Sequence, residues 1–246
     1  ILDKKNLIAV VGASRNPEKY GHQVYKDLKG AGYKVYPVNP NASVIAGLKA
    51  YPSVKAIPEP LDLVIVTVPA TAVPQVLEDC IAAKAVNVHI ATAGFSETGE
   101  AAGREIEARI REIALRGGLR IVGPNCLGYH VPSARMQMYD NIILAQGPVA
   151  FISQSGGHGQ AYVRLGPSFG IGFSKVISYG NALMMDGTYF LEYLATDPET
   201  RVICLYLEGI KDGQKLTRLV KQIGLSKPVI IWKGGITASG ARATAT

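Results

Sequence analysis

The feature that most constrains this chain is an alternation that runs twice. Short apolar, largely β-branched runs alternate with helix-like stretches, lapse, and then start again. In the first series, residues 7–11, 33–38, 63–68, 86–91 and 120–122 read as strands, and residues 19–30, 71–83 and 100–116 as helices. In the last helix Ile106, Ile110 and Ile113 recur at spacings of four and three, and Gly117-Gly118 ends it. Runs that are apolar on both faces need cover on both faces, the pattern of a parallel sheet between helical layers. Residues 123–148 break the period and are rich in Gly, Pro and Asn. Strands are then expected over 149–152, 174–178, 202–207 and 229–232, with helices over 157–169, 186–196 and 213–224. The pattern predicts an α/β protein of two units, residues 1–125 and 149–246, joined by a connection over 126–148. The Ala-rich stretch 238–246 reads as a loop or an interrupted helix start.

Composition narrows the function classes. Hydrophobic residues make up 48% against 18% charged, which excludes disorder and supplies a core. No run approaches the ~18 apolar residues of a membrane span. Ile1-Leu2-Asp3-Lys4-Lys5 lacks a signal-peptide core. The cysteines Cys80, Cys126 and Cys204 are odd in number without CxxC spacing. This argues against a disulfide framework or a structural metal and suits a reducing cytoplasm. The net charge of +7 has no block of like charges. It suits a small polyphosphate better than nucleic acid. The 27 glycines exceed the ~7% average and gather at strand ends.

In an open parallel sheet, ligands bind beyond the carboxyl ends of the strands, so the residues closing each strand are the candidates. Gly12, Ser14 and Arg15 follow the first strand, and Tyr20-Gly21 lies just beyond. A glycine lets the backbone approach a ligand, helix amides face a pyrophosphate, and Arg15 adds charge; an ordinary βα turn reads equally well. The GxGxxG fingerprint is absent. The second strand closes with Asn39-Pro40 and no acid for a ribose diol, so NAD is disfavoured. Val68-Pro69 and Thr92-Ala93-Gly94 close the next two strands. Asn125-Cys126 lie in Gly123-Pro-Asn-Cys-Leu-Gly128. Cys126 can line a pocket or pack in a core, and no His–Asp partner set accompanies it as a nucleophile.

In the second unit, Ser153-Gln-Ser155-Gly156-Gly-His158-Gly159 closes a strand and opens a helix. Small residues expose amides, hydroxyls add donors, and the helix dipole favours an anion. N-capping by Ser153 or Ser155 accounts for the same residues. His158 can accept a phosphoryl group or sit behind the loop. Glu208 ends the apolar run 202–207 and can orient an imidazole at the same rim or cap the following helix.

Five stretches in this order resemble the α region of the NDP-forming acyl-CoA synthetases, the superfamily of ADP-forming acetyl-CoA synthetase and succinyl-CoA synthetase. They are Val11-Gly-Ala-Ser-Arg-Asn-Pro-Glu-Lys19, Tyr36-Pro-Val-Asn-Pro40, Gly123-Pro-Asn-Cys-Leu-Gly128, Phe151-Ile-Ser-Gln-Ser-Gly156 and Tyr206-Leu-Glu-Gly-Ile-Lys-Asp-Gly213. The resemblance covers essentially the whole chain. It implies a Rossmann-like CoA-binding domain over 1–125 and a flavodoxin-like ligase domain over 149–246. By family analogy Gly12, Ser14, Arg15, Tyr20 and Gly21 hold CoA phosphates. Asn39, Pro40, Val68, Pro69, Thr92, Ala93 and Gly94 line the rest of that site. Asn125 and Cys126 lie near the thiol, Ser153, Ser155 and Gly156 cradle a phosphoryl group, and Glu208 supports a phosphohistidine.

The implied reaction converts acyl-CoA, phosphate and ADP reversibly to acid, ATP and CoA, with ADP/ATP and Mg on an ATP-grasp β subunit or fused domain, in an oligomer. Two departures stand out. The family's phosphohistidine follows a segment like Gly240-Ala-Arg-Ala243, and the chain stops at Thr246, so the chain as given is expected to bind CoA without completing a turnover. Asn41 stands where the family often has Lys. Two rivals remain: an acyl-CoA-sensing regulatory region of a protein acetyltransferase, discriminated by the residue beyond Thr246, and an NAD(H)-binding redox-sensing module, disfavoured by the missing fingerprint.

Overall fold

In the computed structural model, which describes residues 2–138, 144–237 and 240, the first alternation folds as β1 (Leu7–Val11), α1 (Tyr20–Gly30), β2 (Lys34–Val38), β3 (Val44–Ile45), β4 (Leu48–Lys49), β5 (Leu63–Val66), α2 (Val73–Ala82), β6 (Asn87–Ile90), α3 (Ala101–Gly117) and β7 (Arg120–Val122). The sheet order is β2-β1-β5-β6-β7, parallel throughout. The small hairpin β3–β4 was not expected; two-residue strands are too short to show a period. β5 ends before the expected 68. Thr67 has left the ladder, yet its amide and its hydroxyl both donate to the Val11 carbonyl, each at 2.9 Å.

Two glycines make this end of the sheet possible. Gly12 sits at φ +93°, and a Cβ there would stand 2.5 Å from Thr67 Oγ1. A Cβ on Gly21 would run into the Gly12 carbonyl oxygen. Both positions are therefore small so that strand end and helix start can touch.

The second alternation folds as β8 (Gly128–Val131), β9 (Met136–Gln137), β10 (Gln146–Ser153), α4 (Gly156–Leu165), β11 (Phe173–Ser178), α5 (Gly187–Thr196), β12 (Val202–Leu207), α6 (Gly213–Ile223) and β13 (Val229–Lys233). Its order is β13-β12-β10-β11-β8-β9; the first four are parallel, and β8 and β9 join antiparallel. The expected connection thus holds more than a link, since Gly128–Val131 and Met136–Gln137 supply the edge of this sheet. Strands of two and four residues inside a Gly- and Pro-rich stretch carry no readable period. β10 begins three residues before the expected 149, with a register shift around Pro148, where the missing amide breaks the ladder.

The cores explain why the halves stay together. One face of the first sheet buries Val64, Val66, Val88 and Ile90 under α2 and α3, with Leu77, Ile110 and Ile113. The other face buries Ile8, Val10, Leu63 and Ile65 under α1 and also under Val131, Met136 and Met138 from the β8–β9 segment. The second sheet is covered by α5 and α6 on one face and α4 on the other. No described helix is long and apolar enough to cross a membrane. Of the stretch 238–246, only Gly240 lies within the described residues.

A lysine interrupts the core. Lys175 lies in β11 with 3% of its side chain exposed, and its ammonium bonds Asp197 Oδ2 and Glu199 Oε2, both at 2.8 Å. Burial alone would raise the Asp197 carboxyl, but hydrogen bonds from Lys175 and Thr200 outweigh it and hold it below the usual aspartate value. A depressed carboxylate stabilises the fold above its unfolded value, and the contribution is lost as pH falls. Lys175→Met leaves a buried carboxylate uncompensated and is expected to cost about 3–5 kcal/mol at pH 7 in urea unfolding. The penalty should shrink as pH falls through the ordinary aspartate value of 3.8; an unchanged penalty at pH 3 would show that packing, not charge, carries the effect.

Candidate functional site

The first sheet and the four strands β13-β12-β10-β11 of the second are parallel, so each set collects its loop ends at one edge, and ligands seat where the strand order reverses. In the first sheet the reversal lies between β1 and β5, beside Gly12. In the second it lies between β10 and β12, beside Ser155 and Glu208. A cavity of about 560 Å³ opens at the second reversal. Its walls come from both units: Ser96, Glu97, Asn125 and Cys126 from the first edge, and Gln154–Gly157, Asn181 and Glu208 from the second.

The β10–α4 turn builds the anion-facing wall. Ser155 is the N-cap, its Oγ accepting from the His158 amide at 3.3 Å. The Gly156 and Gly157 amides therefore begin the helix without intrahelical acceptors, and both residues line the cavity. Leu127 leans over the helix start; a Cβ on Gly156 would be 3.0 Å from its Cγ. Ser153 is buried and its hydroxyl donates to the Ser155 carbonyl at 2.6 Å. The structure therefore places Ser153 behind the turn, not at the cavity surface. Gln154 ties this turn to β12: its Oε1 accepts from the Glu208 and Gly209 amides at 2.9 and 3.0 Å.

Glu208 is half-buried on the opposite wall. Burial pushes its carboxyl above the usual glutamate value, while a hydrogen bond with Tyr206 and the charges of His158 and Lys233 pull partly back. Lys233 Nζ donates to the Glu208 carbonyl at 2.8 Å. His158 does not line the cavity. Its ring stacks on Tyr206 at 4.2 Å and meets Trp232 edge-on at 5.0 Å, so it stands behind the wall.

Asn181 closes the cavity across the two units. Its Nδ2 donates to Glu97 Oε2 at 2.6 Å and Glu107 Oε2 at 2.8 Å, and its Oδ1 accepts from Asn125 Nδ2 at 3.3 Å. Glu97 Oε1 accepts from the Gly94 and Phe95 amides at 2.6 and 3.1 Å. Burial would raise Glu97, yet these hydrogen bonds outweigh it and hold the carboxyl below its usual value. Gln154, Glu97 and Asn181 were not singled out in the sequence. Glu97, three residues after Gly94, was the one readable signal.

Cys126 is 3% exposed, with Sγ 3.7 Å from His89 Nδ1 and 3.5 Å from the Ile90 carbonyl. Burial pushes the thiol up and drives His89 down to about 3. Both are neutral near pH 7, so the pair is not an activated nucleophile.

The remaining candidates line the rim of the first sheet. Asn39 Nδ2 donates to the Ala13 carbonyl at 2.8 Å, and Thr92 Oγ1 to Val68 O at 2.6 Å. The Asn125 amide donates to Thr92 O at 2.8 Å, joining the rim to the cavity. Tyr20 Oη donates to the Leu127 and Met138 carbonyls at 3.1 and 3.0 Å. The Ser14 hydroxyl accepts from the Asn16 amide at 3.0 Å. Pro40, Pro69 and Ala93 are exposed. Arg15 is exposed and makes no hydrogen bond or ion pair to another described residue. Among the described residues no cluster of three or more His, Cys, Asp or Glu could hold a metal ion.

Comparison with known proteins agrees with this geometry. A CoA binding domain matches residues 6–132, and a succinyl-CoA ligase like flavodoxin domain matches residues 146–246. The α subunit of ADP-forming acetate–CoA ligase II from Pyrococcus furiosus is 46% identical over 240 residues, covering 97% of this chain and 52% of that protein. The ADP-forming 4-hydroxybutyrate–CoA ligase of Nitrosopumilus maritimus is 37% identical, covering 99% of this chain and 35% of that protein. The dinucleotide forming acetyl-coenzyme A synthetase 1 of Ca. Korarchaeum cryptofilum, solved with phosphate and ADP, superposes with a TM-score of 0.89 at 38% identity, covering all of this chain and 54% of that one. The chain thus spans about a third to a half of the length of these relatives. They are named as ligases or synthetases, neither as acetyltransferase sensors nor as NAD-binding modules.

The raised Glu208 carboxyl has a stability consequence. Its ionised form is disfavoured in the fold, so its contribution is favourable below its unfolded value and is lost as pH rises through the folded one. Glu208→Gln is expected to melt at a higher temperature than the parent at pH 7, with the difference closing by pH 4 in calorimetric scans. A gain that persists undiminished at pH 4 would remove burial of the charge as its cause.

Proposed function

The chain belongs to the family in which a CoA-binding domain precedes a succinyl-CoA-ligase-like flavodoxin domain, the α region of NDP-forming acyl-CoA synthetases, and on that premise we propose that it binds CoA and forms acyl phosphate within an ADP-forming acid–CoA ligase. One observation carries the reading. The amide-bearing start of α4 and the Glu208 carboxyl share a single cavity with Asn125, which is bonded to the rim of the CoA-binding unit.

The 3′,5′-ADP portion of CoA is assigned to the rim, where Arg15 is bonded to no other described residue, with Gly12, Ser14, Tyr20, Gly21 and Asn39 shaping its edge. The pantetheine arm runs past Val68, Pro69 and Thr92–Gly94 toward Asn125. Phosphate in the cavity, held by the Gly156 and Gly157 amides, attacks the thioester carbonyl carbon. The C–S bond breaks, CoA leaves as a thiolate that takes a proton, and acyl phosphate remains. A preorganised donor set suits this step because it needs no reorganisation as charge develops. The phosphoryl group then passes to an imidazole nitrogen, releasing the carboxylate, and from there to ADP.

Glu208 is assigned to accept a hydrogen bond from the other imidazole nitrogen, favouring the cationic ring that forms. The four histidines of the chain do not serve as acceptor. His89 and His130 are buried, His22 Nδ1 is 2.7 Å from the Ser14 carbonyl, and His158 is stacked behind the wall. The resemblance assigns the acceptor to a histidine following the Gly240–Ala243 segment, of which residues 241–243 lie outside the described residues. The nucleotide and Mg²⁺ are assigned to an ATP-grasp unit, fused or separate, in an oligomer of the cytoplasm. The free thiols of Cys80, Cys126 and Cys204 fit that compartment. Domain limits of 1–125 and 149–246 fit the two units, with 126–148 shared between them.

Calorimetric titration should show CoA binding and no preference for NADH; tighter NADH binding would sink the assignment. In the complete enzyme, Glu208→Gln and Ser155→Ala should each reduce radiolabelling of the protein from ATP by about tenfold or more, the scale of losing one stabilising hydrogen-bond partner. Ser153→Ala, whose hydroxyl lies behind the turn, should reduce it less. Normal labelling in both Glu208→Gln and Ser155→Ala would remove the phosphoryl site from this cavity.

A further inference from the structure

A second cavity of about 480 Å³ lies between the units at the opposite end of the first sheet. Its apolar wall is formed by Val88, Val122, Met136, Ile177 and Phe190. The rings of Tyr189 and Tyr193 line it as well, yet remain 45% and 46% exposed. This is the size and chemistry of a small-molecule site, which pairs an apolar body with few placed polar groups.

Three charged side chains reach this cavity, and two are already matched. Lys175 is held by Asp197 and Glu199. Glu192 is paired with Lys215 at 3.2 Å. Arg120, the first residue of β7, is exposed at the mouth; its amide donates to the Val86 carbonyl at 2.8 Å, but its guanidinium makes no hydrogen bond or ion pair to another described residue. The site therefore offers one uncommitted guanidinium, with its planar fork of donors, at the edge of an apolar chamber.

We propose that this cavity binds an amphiphilic carboxylate, its hydrocarbon chain between the two sheets and its carboxylate on Arg120. A straight chain of about ten carbons suits a chamber at the lower end of the usual range of ligand pockets. The position also gives such a ligand a route to the other cavity. Strands β6 and β7 begin here at Asn87 and Arg120 and end shortly before Ala91 and Asn125, which line the first cavity; β11 passes Lys175 and ends at Ser178, just before Gly180 and Asn181, in the same way. A ligand wedged between the sheets would bear on three strands whose far ends build the phosphoryl site.

The test is titration of the full chain with decanoate, followed by calorimetry and by tyrosine-ring NMR shifts. Saturable one-to-one binding with Kd of about a millimolar or tighter is expected, the scale that a dozen well-packed atoms supply. Arg120→Glu, a change at an exposed position, should weaken decanoate at least about tenfold while leaving 1-decanol unchanged. Met185 also lines the chamber, and Met185→Trp, which fills it, should block both ligands. Equal decanoate affinity in Arg120→Glu, or shifts confined to rings outside this cavity, would overturn the assignment, as would no saturable binding. CoA titration of each variant serves as the folding control.

Discussion

The antiparallel pair β8–β9 is hydrogen-bonded into one sheet and packed into the core of the other, and the rest of the molecule depends on that double membership. His130 and Val131 pair with Gln137 and Met136 at the edge of the second sheet. Val131, Met136 and Met138 meanwhile bury against Ile8, Tyr25 and Leu63 on the α1 face of the first. Without these three side chains that face would be covered by α1 and a few residues around the β3–β4 hairpin, such as Ile45 and Ala50. The two units therefore cannot rotate freely, since doing so would expose apolar surface worth roughly 1.5–3 kcal/mol for each side chain uncovered. This fixed relation is what lets two strand-end rims act as the walls of one cavity.

The polar contacts across that cavity then become affordable only because the apolar contacts set the distance. Asn181 offers one amide nitrogen to two carboxylates, Glu97 and Glu107, from the other unit. Two carboxylates beside each other repel unless donors are fixed between them. Here the donors are rigid: backbone amides of Gly94 and Phe95 on one side, the Asn181 amide on the other. The Glu208 wall is arranged in the opposite sense. Its carboxyl is only partly compensated, so it remains able to accept a new donor. One carboxylate holds the site together and the other is left with capacity for chemistry, a division set by how many donors each receives.

Much of this was legible from the chain. The runs 7–11, 120–122 and 202–207 appear as strands with the expected limits, because an apolar run bounded by Gly or polar residues leaves little freedom. The rim candidates at Gly12, Val68, Thr92, Asn125 and Glu208 followed from the single rule that parallel strands end together. Illegible features share a cause: they are made by residues that meet only after folding. Asn181 and Glu97 are 84 residues apart, and nothing local marks either as the partner of the other. Gly12 and Gly21 were visible, but whether a glycine faces a ligand or a neighbouring backbone depends on which atoms lie where the Cβ would be. The β8–β9 segment was missed because strands of four and two residues inside a Gly- and Pro-rich stretch are too short to show an alternation.

Cys126 shows how burial decides between chemistries that residue type leaves open. A cysteine beside a histidine, at the mouth of a cavity, has the makings of a nucleophile. Ionising it would require a thiolate and an imidazolium in a site where both the ring and the sulfur are buried, and the separation of 3.7 Å from Nδ1 gives no strong hydrogen bond to offset that cost. Burial moves the two groups in opposite directions, the thiol up and His89 down, so each stays neutral and the proton has no reason to move. Fixed dipoles, the amides of Gly156 and Gly157, line the same cavity and need no proton transfer to be ready. A phosphoryl group carries its own charge into the site, and a wall of oriented amides suits it better than a nucleophile that must first be ionised.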